Sequence, residues 1–413
     1  MSKLPEISLP TQLKERLAQG HPWVYRNHIA TSTRLPSGAW VKLRCGGWSG
    51  YGLWDAEGPI AVRVYSEQQP PDAALIRARV CDAWELRAPL RQGDTTAYRW
   101  LFGEGDSLPG ITVDVYGEYA VIATYMGGAH ELLDWLVPAL RATAPLRGIV
   151  LRNRPARASE NLAEVGRDEE LIDATPSPQT PAVPPAKTSI LWGAGPPHDL
   201  VVSEYDLRFE ADLRGGQKTG LFLDHRENRR YIETISAGKE VLNCFAYTGA
   251  FSLYALRGGA RHVVSADIGK GLDVSAATNI SLNGLDSTRH EFVTEDCFAM
   301  LDTYTKQRQL FDLVILDPPS FARNKQSRFA AVRAYTRLNT LALRCLRPGG
   351  LLASASCTSQ VSPEAFKDML AVAGAQAKRR LQIIHETGQP LDHPVPPQFP
   401  EGRYLKFVVM RAG

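Results

Sequence analysis

Four residues in the second half of the chain have the types and settings of working chemistry. Cys357 closes a run of small and apolar residues, "GGLLASASC", and Asp317 closes another, "LVILDPPSFARNK", where it is followed by Pro318 and Pro319. Asp267 and Asp296 end two further short runs, "HVVSAD" and "HEFVTED". A thiolate is a nucleophile, but a free cysteine also packs like a small hydrophobe, so Cys357 taken alone reads as a buried structural thiol. Asp317 is more specific. Two prolines fix the backbone behind it and present carbonyl oxygens without competing amides, a stiff rim against which a planar amine or base edge can be held. A purely structural turn would not need the acid.

These residues need a scaffold, and the surrounding sequence describes one. After residue 214, strand signals ("EVLNCF", "HVVSADI", "HEFVTEDC", "FDLVILDPP", "GGLLASASC") alternate with helical ones ("AFSLYALRG", "LDVSAATNISLNG", "YTRLNTLALRCL", "EAFKDMLAVAGAQ"). That alternation predicts βαβ units and a doubly wound, mostly parallel sheet with helices on both faces. "RYLKFVVMRAG" predicts a last strand, antiparallel and at or near the sheet edge. In such sheets ligands bind beyond the carboxyl ends of the strands, which is where all four residues fall.

The first of those loops, "VLNCFAYTGAFS", carries Phe245, Tyr247, Thr248 and Gly249. A glycine there lets backbone approach a ligand, and the following helix start offers unpaired amides. Phe245 and Tyr247 stand where a dinucleotide fingerprint would place glycines, and simple strand-turn-helix punctuation explains the loop about as well. Asp267, after the second strand, is placed to accept from a ribose diol; capping the next helix is a nearly equal alternative. Asp296 is placed to accept from an adenine amino group, again with a helix cap as the alternative. Together the spacing fits an adenosine held without a pyrophosphate grip, which suits S-adenosylmethionine better than a nicotinamide cofactor.

The 413 residues exceed one ordinary core and imply two or three domains. Short alternating runs in the first seventy or so residues ("WVKLRCGGW", "GYGLWDAEG", "IAVRVYSEQ") predict a small β-barrel. "GITVDVYGEYAVIATY" predicts a hairpin turning at Gly117, and "HELLDWLVPALRAT" a helix, in a mixed α+β module. The expected organisation is a barrel over 1–75, a central domain over 76–214 with a Pro-rich loop near 174–187, and the doubly wound domain over 215–413.

Cys45, Cys81, Cys244, Cys297, Cys345 and Cys357 lie far apart in sequence, so neither a disulfide framework nor a zinc site is expected, and the spacing of the histidines, His21 and His225 among them, adds no metal site. No signal-type segment or run long enough for a membrane span is found, which points to a cytoplasmic protein without a membrane partner. A net charge of +3 says little about partners, but residues 318–363 hold no acid while carrying Arg323, Lys325, Arg328, Arg333, Arg337, Arg344 and Arg347. The run reads as a solvated helix face or as a surface for RNA phosphates, and its start at the Asp317 loop favours the second.

"GGQKTGLFLDHRENRR", "LNCFAYTGAFSLYALRGGA", "ILDPPSFARNK" and the strand ending at Cys357 resemble the ribosomal RNA large subunit methyltransferase I family. Upstream, "LAQGHPWVYRNHI" resembles that family's N-terminal PUA domain and "FGEGDSLPGITVDVYGEYAVI" its central domain. The resemblance spans nearly the whole chain apart from the Pro-rich stretch. It implies an S-adenosylmethionine-dependent enzyme making 5-methylcytosine in large-subunit ribosomal RNA. In that chemistry a thiolate adds to ring carbon 6, because carbon 5 alone is too weak a nucleophile to take a methyl group.

The resemblance makes Cys357 the nucleophile and Asp317 the group that binds the flipped base and favours its ring protonation. Phe245, Tyr247, Thr248, Gly249, Asp267, Asp296 and Asp317 become expected cofactor contacts, and Pro318, Pro319, Arg323, Lys325 and Lys218 expected substrate contacts. A homodimer is compatible with the sequence, which does not fix the oligomeric state. Two other readings compete: a guanine-N7 RNA methyltransferase, which shares the "FAYTG"-like and "DPPSF"-like motifs but needs no thiol, and a noncatalytic RNA-binding protein with a degenerate cofactor fold.

Overall fold

A computed structural model describes residues 4–153, 187–213, 221–321 and 328–413. Lys218, Arg323, Lys325 and the Pro-rich stretch up to residue 186 lie outside the described residues. The chain divides into two compact units, one made of Met1–Ala88, Tyr98–Leu200 and Asp212–Leu221, the other of Pro89–Ala97, Val201–Ala211 and Phe222–Gly413.

The first unit opens with strands β1 (Glu6–Ser8), β2 (Trp23–Tyr25), β3 (Trp40–Cys45), β4 (Trp48–Trp54) and β5 (Ile60–Ser66), joined in the order β1-β3-β4-β5-β2. Apolar residues at every second position turn Val41, Leu43 and Cys45 of β3 inward, where they meet Val24, Trp54 and Val62. Cys45 pairs with Trp48 across Gly46 and Gly47, at φ +48° and +90°; both central residues of such a two-residue hairpin must be left-handed, which glycine allows at no steric cost.

A second sheet follows, β6 (Ala97–Phe102), β7 (Ile111–Tyr116), β8 (Tyr119–Thr124), β9 (Gly148–Asn153) and β10 (Lys187–Gly193), in the order β10-β9-β8-β7-β6. The expected hairpin is β7–β8, with Tyr116 paired to Tyr119 across Gly117, and the expected helix runs His130–Thr143. Trp40 stacks on Trp135 of that helix at 5.8 Å, and the Trp23 indole donates to Glu104 at 2.7 Å.

The second unit carries a hairpin, β11 (Val201–Glu204) with β12 (Leu207–Glu210), and a seven-stranded sheet. Its strands are β13 (Glu240–Cys244), β14 (His262–Asp267), β15 (His290–Thr294), β16 (Phe311–Leu316), β17 (Leu346–Ser356), β18 (Leu381–Thr387) and β19 (Lys406–Ala412), in the order β15-β14-β13-β16-β17-β19-β18. β13 to β17 run parallel and β19 lies antiparallel between β17 and β18, so the last strand is second from the edge. The edge strand, β18, went unread in the sequence.

Alternation sorts the sheet's two faces. Leu242, Val264, Val314, Leu316, Leu352 and Val408 join the core with Tyr335 and Leu338 of the helix Arg328–Arg344 and Phe366 of the helix Pro363–Ala377. Each such large apolar side chain removed from water contributes roughly 1.5–3 kcal/mol. The chain order reverses between β13 and β16, which are hydrogen-bonded neighbours with Cys244 beside Leu316. That reversal opens a cleft at their carboxyl ends, and the loops carrying Gly249 and Asp317 both start there.

Candidate active site

The loop after β13 is built from backbone. Phe245, Tyr247 and Gly249 have φ of +60°, +50° and +82°, a left-handed conformation that costs the two aromatic residues energy and must be held by their surroundings. Three successive amides do the holding. Phe245 N–H donates to the Cys297 sulfur at 3.3 Å, Ala246 N–H to the Ala266 carbonyl at 3.0 Å, and Tyr247 N–H to Asp267 Oδ2 at 3.0 Å. From the far side the buried Asn279 amide donates to the Thr248 carbonyl at 3.1 Å. Gly249 begins the helix Ala250–Arg257, and a Cβ there would stand 3.2 Å from the Ala276 methyl.

Asp267, at the end of β14, does not cap a helix. Its second oxygen accepts from Gly269 N–H at 3.0 Å, so each carboxylate oxygen holds one amide and keeps a lone pair for a further donor. Asp296 is the helix cap foreseen as its alternative: Oδ1 accepts from Ala299 N–H at 3.0 Å at the start of Cys297–Gln307. Its other oxygen has no partner among the described residues. Two partly exposed carboxylates with spare acceptor sites, beside a left-handed glycine turn, suit the ribose and adenine of S-adenosylmethionine. Cys297, buried and spent on Phe245 and Ala266, serves the loop. Burial, with Cys297 beside it, pushes the Cys244 thiol well above the ordinary range.

Asp317 follows β16 and Cys357 follows β17, and the register of Leu316 beside Ser354 brings both to one end of the sheet. The Cys357 sulfur lies 3.9 Å from the Pro318 carbonyl. Pro318 is buried and Pro319 exposed, so the first proline packs the rim and the second faces solvent. The Tyr335 hydroxyl is buried nearby, with the Tyr335 ring against Phe321 at 4.7 Å, and burial pushes its pKa upward.

Behind Asp317 stands a relay that sequence reasoning missed. The His225 Nε2 is 3.2 Å from Asp317 Oδ1, the Asn228 side-chain amide is 3.0 Å from His225 Nδ1, and the Thr387 hydroxyl donates to Asn228 Oδ1 at 2.6 Å. An amide nitrogen only donates, so Nδ1 accepts, Nε2 carries the proton, and that proton points at the Asp317 carboxylate. His225 is 2 % exposed and packs edge-on against Phe251 and Phe407, which leaves its ring one orientation. "LDHRENRR" gave no apolar period to mark it, because Arg226, Asn228 and Arg229 are themselves buried. Arg226 forms a two-pronged pair with Asp392 at 2.7 and 3.0 Å, and Arg229 another with Glu204 at 2.6 and 2.8 Å.

The described residues of the basic run do not all reach this end of the sheet. Arg347 pairs with Glu240 and Asp312 at 2.5 and 3.0 Å, where β13 and β17 begin, the opposite end of the sheet from Asp317. Arg337 lies over the Phe298 ring, and Arg344 donates to the Gln376 carbonyl.

Comparison with known proteins gives this geometry a family. The S-adenosylmethionine-dependent methyltransferase family matches residues 184–401, and the PUA-like domain matches residues 7–67. The crystal structure of SMU.776 complexed with SAH superposes with a TM-score of 0.84 at 23% identity, covering 99% of this chain and 100% of that one, and so shares the fold. Ribosomal RNA large subunit methyltransferase I of Aeromonas salmonicida is 34% identical over 407 residues, and that of Aeromonas hydrophila subsp. hydrophila 35% identical over 408, each covering 97% of both chains. Identity of this level over 97% of both chains, with both family matches, leaves one conclusion: this chain is an S-adenosylmethionine-dependent methyltransferase and belongs to the ribosomal RNA large subunit methyltransferase I family.

Proposed function

We propose that this enzyme methylates carbon 5 of a cytosine in large-subunit ribosomal RNA, with Cys357 as covalent nucleophile. The relatives' names supply the RNA class, and the PUA-like domain gives that substrate a second point of attachment. The observation that carries the reading is the position of Cys357, its sulfur 3.9 Å from the carbonyl of Pro318, beside Asp317.

Cys357 as thiolate adds to carbon 6, the new carbon–sulfur bond taking its electrons from sulfur while the 5,6 double bond becomes electron-rich at carbon 5. Asp317, fixed by the His225 Nε2 proton on one oxygen, keeps the other for the cytosine ring edge and favours protonation at the ring nitrogen. S-Adenosylmethionine, when bound, supplies the electrophilic methyl group and leaves as S-adenosylhomocysteine. Loss of the carbon 5 proton to a base then restores the double bond and expels Cys357. The target base must leave its stack to reach this cleft, so unpaired or readily opened RNA is the better substrate.

The test uses RNA carrying 5-fluorocytosine at the target. Fluorine at carbon 5 blocks the final elimination, so the wild type should accumulate a covalent adduct that mass spectrometry places on Cys357. Cys357→Ala should form none and lose methyl transfer by about 10⁴-fold or more, while retaining cofactor and RNA affinity. Methylation by the alanine variant with no adduct in the wild type would overturn the reading in favour of guanine-N7 chemistry, and an adduct on another cysteine would overturn Cys357 as the nucleophile.

A further inference from the structure

Lys406, the first residue of β19, is the clearest unexplained group near the cleft. It is 4 % exposed, yet no carboxylate pairs with it among the described residues. Its ammonium donates to two carbonyls, those of Thr358 and, at 2.9 Å, Tyr404. Burying an unpaired ammonium costs several kcal/mol even after relaxation, so the fold tolerates this one for a reason.

The register supplies the reason. Across the antiparallel β17–β19 ladder Lys406 stands directly opposite Ser356, the residue before Cys357, and its ammonium bonds the carbonyl of Thr358, the residue after it. Cys357 is thus bracketed from both sides by one lysine, which has three N–H donors and spends two on carbonyls. We propose that Lys406 is a positioning residue whose ammonium stabilises the thiolate form of Cys357. The inference rests on Cys357 being the nucleophile and adds what readies it.

The surrounding charges are consistent with this assignment. Burial pulls the Lys406 ammonium down to about 8, and the group that pushes it back up is Cys357. Coupling of that kind is reciprocal, so the cation favours the thiolate by the same amount. Asp317 after β16, with His225 on its oxygen, and the Tyr335 hydroxyl from the helix Arg328–Arg344 both oppose a thiolate or leave it unaided. Glu386, His393 and Arg403 line the cavity that Lys406 borders, but Glu386 is paired to Lys367 and His393 to Asp392. Arg403 is exposed, and among the described residues Lys406 is the buried cation that acts on the sulfur.

The experiment follows alkylation of the Cys357 peptide by iodoacetamide against pH, read by mass spectrometry on the full chain without RNA or cofactor. The wild type should show a midpoint about one pH unit below the ordinary thiol value of ~8.5. Lys406→Met, which keeps the stem and removes the charge, should raise the midpoint by about one unit, a ~10-fold loss of thiolate at pH 7, while Lys406→Arg should hold it within a few tenths. A wild-type midpoint at or above ~8.5, or the same profile in the methionine variant, would overturn the proposal. If Lys406→Met does not fold, Lys406→Gln takes its place with the same expected rise, and a wild-type midpoint at or above ~8.5 overturns the proposal by itself. Because no methyl transfer is measured, a failure of the cytosine reading, seen as methylation by Cys357→Ala, remains distinguishable from a failure of this one.

Discussion

The two halves of the cleft are built from different materials. On the β14 side the cofactor loop is shaped by backbone: three amides drawn onto a sulfur, a carbonyl and a carboxylate, with Gly249 allowing the turn. On the β17 side Asp317 and the segment around Cys357 are held by side chains brought from far along the sequence, the buried His225, Asn228 and Lys406 and the half-buried Thr387. A backbone-built half spreads its support over several amides and needs little from any one side chain. A side-chain-built half concentrates cost and support in a few buried polar groups, each of which becomes expensive to lose.

The sharpest way to break that contrast is to remove a buried support from the second half. Arg226, next to His225, spends its guanidinium on Asp392, and both are completely buried. Burial opposes the Asp392 charge, but His393 and Arg226 outweigh it and hold the carboxyl far below the usual range. Asp392→Ala would strand the Arg226 charge, at a cost of about 3–5 kcal/mol. Urea unfolding followed through the second unit should show that loss; a change under 1 kcal/mol would mean the side-chain half is as tolerant as the backbone half.

The same contrast explains what the sequence disclosed. Strand-turn-helix punctuation at 245–249 and the acids at 267 and 296 are local signals, because the residues that shape that loop lie next to one another or end the adjoining strands. Cys357 and Asp317 stood out in the sequence through motif resemblance, and the structure brings them to one end of the sheet. The relay behind Asp317 was not, since His225, Asn228 and Thr387 meet only after the sheet and the helix Arg226–Thr234 have packed, and a buried polar run carries no apolar period. β18 escaped for another reason. Ile383 pairs with Met410 and His385 with Val409, so Ile384 is an extra residue that breaks the two-residue alternation by which a strand is read. Charge in sequence does not say which end of a sheet a residue reaches: Arg347, in the same run as the residues of the Asp317 loop, reaches the far end.

In the backbone half a single deletion should be felt in binding rather than in folding. Asp267→Ala removes the acceptor of two amides and, when the cofactor is bound, a charge-assisted acceptor for the ribose, a loss on the order of 1.5–3 kcal/mol of S-adenosylmethionine affinity. Calorimetric titration should find roughly 10- to 150-fold weaker binding with little change in the urea midpoint. Unchanged affinity would reduce Asp267 to a brace for the loop.

The smallest effect expected concerns a buried polar chain that the backbone half does contain. Asn243 donates to Ser252 at 2.9 Å, Ser252 meets Ser265 at 2.7 Å, and Ser265 meets His290 Nε2 at 2.8 Å, so the chain crosses β13, β14 and β15 behind the cofactor loop. Burial, with His262 nearby, pulls His290 down to about 4. An unfolded histidine titrates near 6.5, so between those values the unfolded chain binds the extra proton. The stability His290 contributes is therefore complete above about pH 6.5 and is lost as the pH falls towards 4, by roughly 1–2 kcal/mol once its partial exposure is allowed for. His290→Gln, which keeps a hydrogen-bonding side chain without a titrating ring, should lose less stability than the wild type between pH 7 and 4 when urea midpoints are compared at each pH. Parallel losses in the two proteins would mean that His290 meets acid as an exposed histidine does, and that the backbone half has no titrating support of its own.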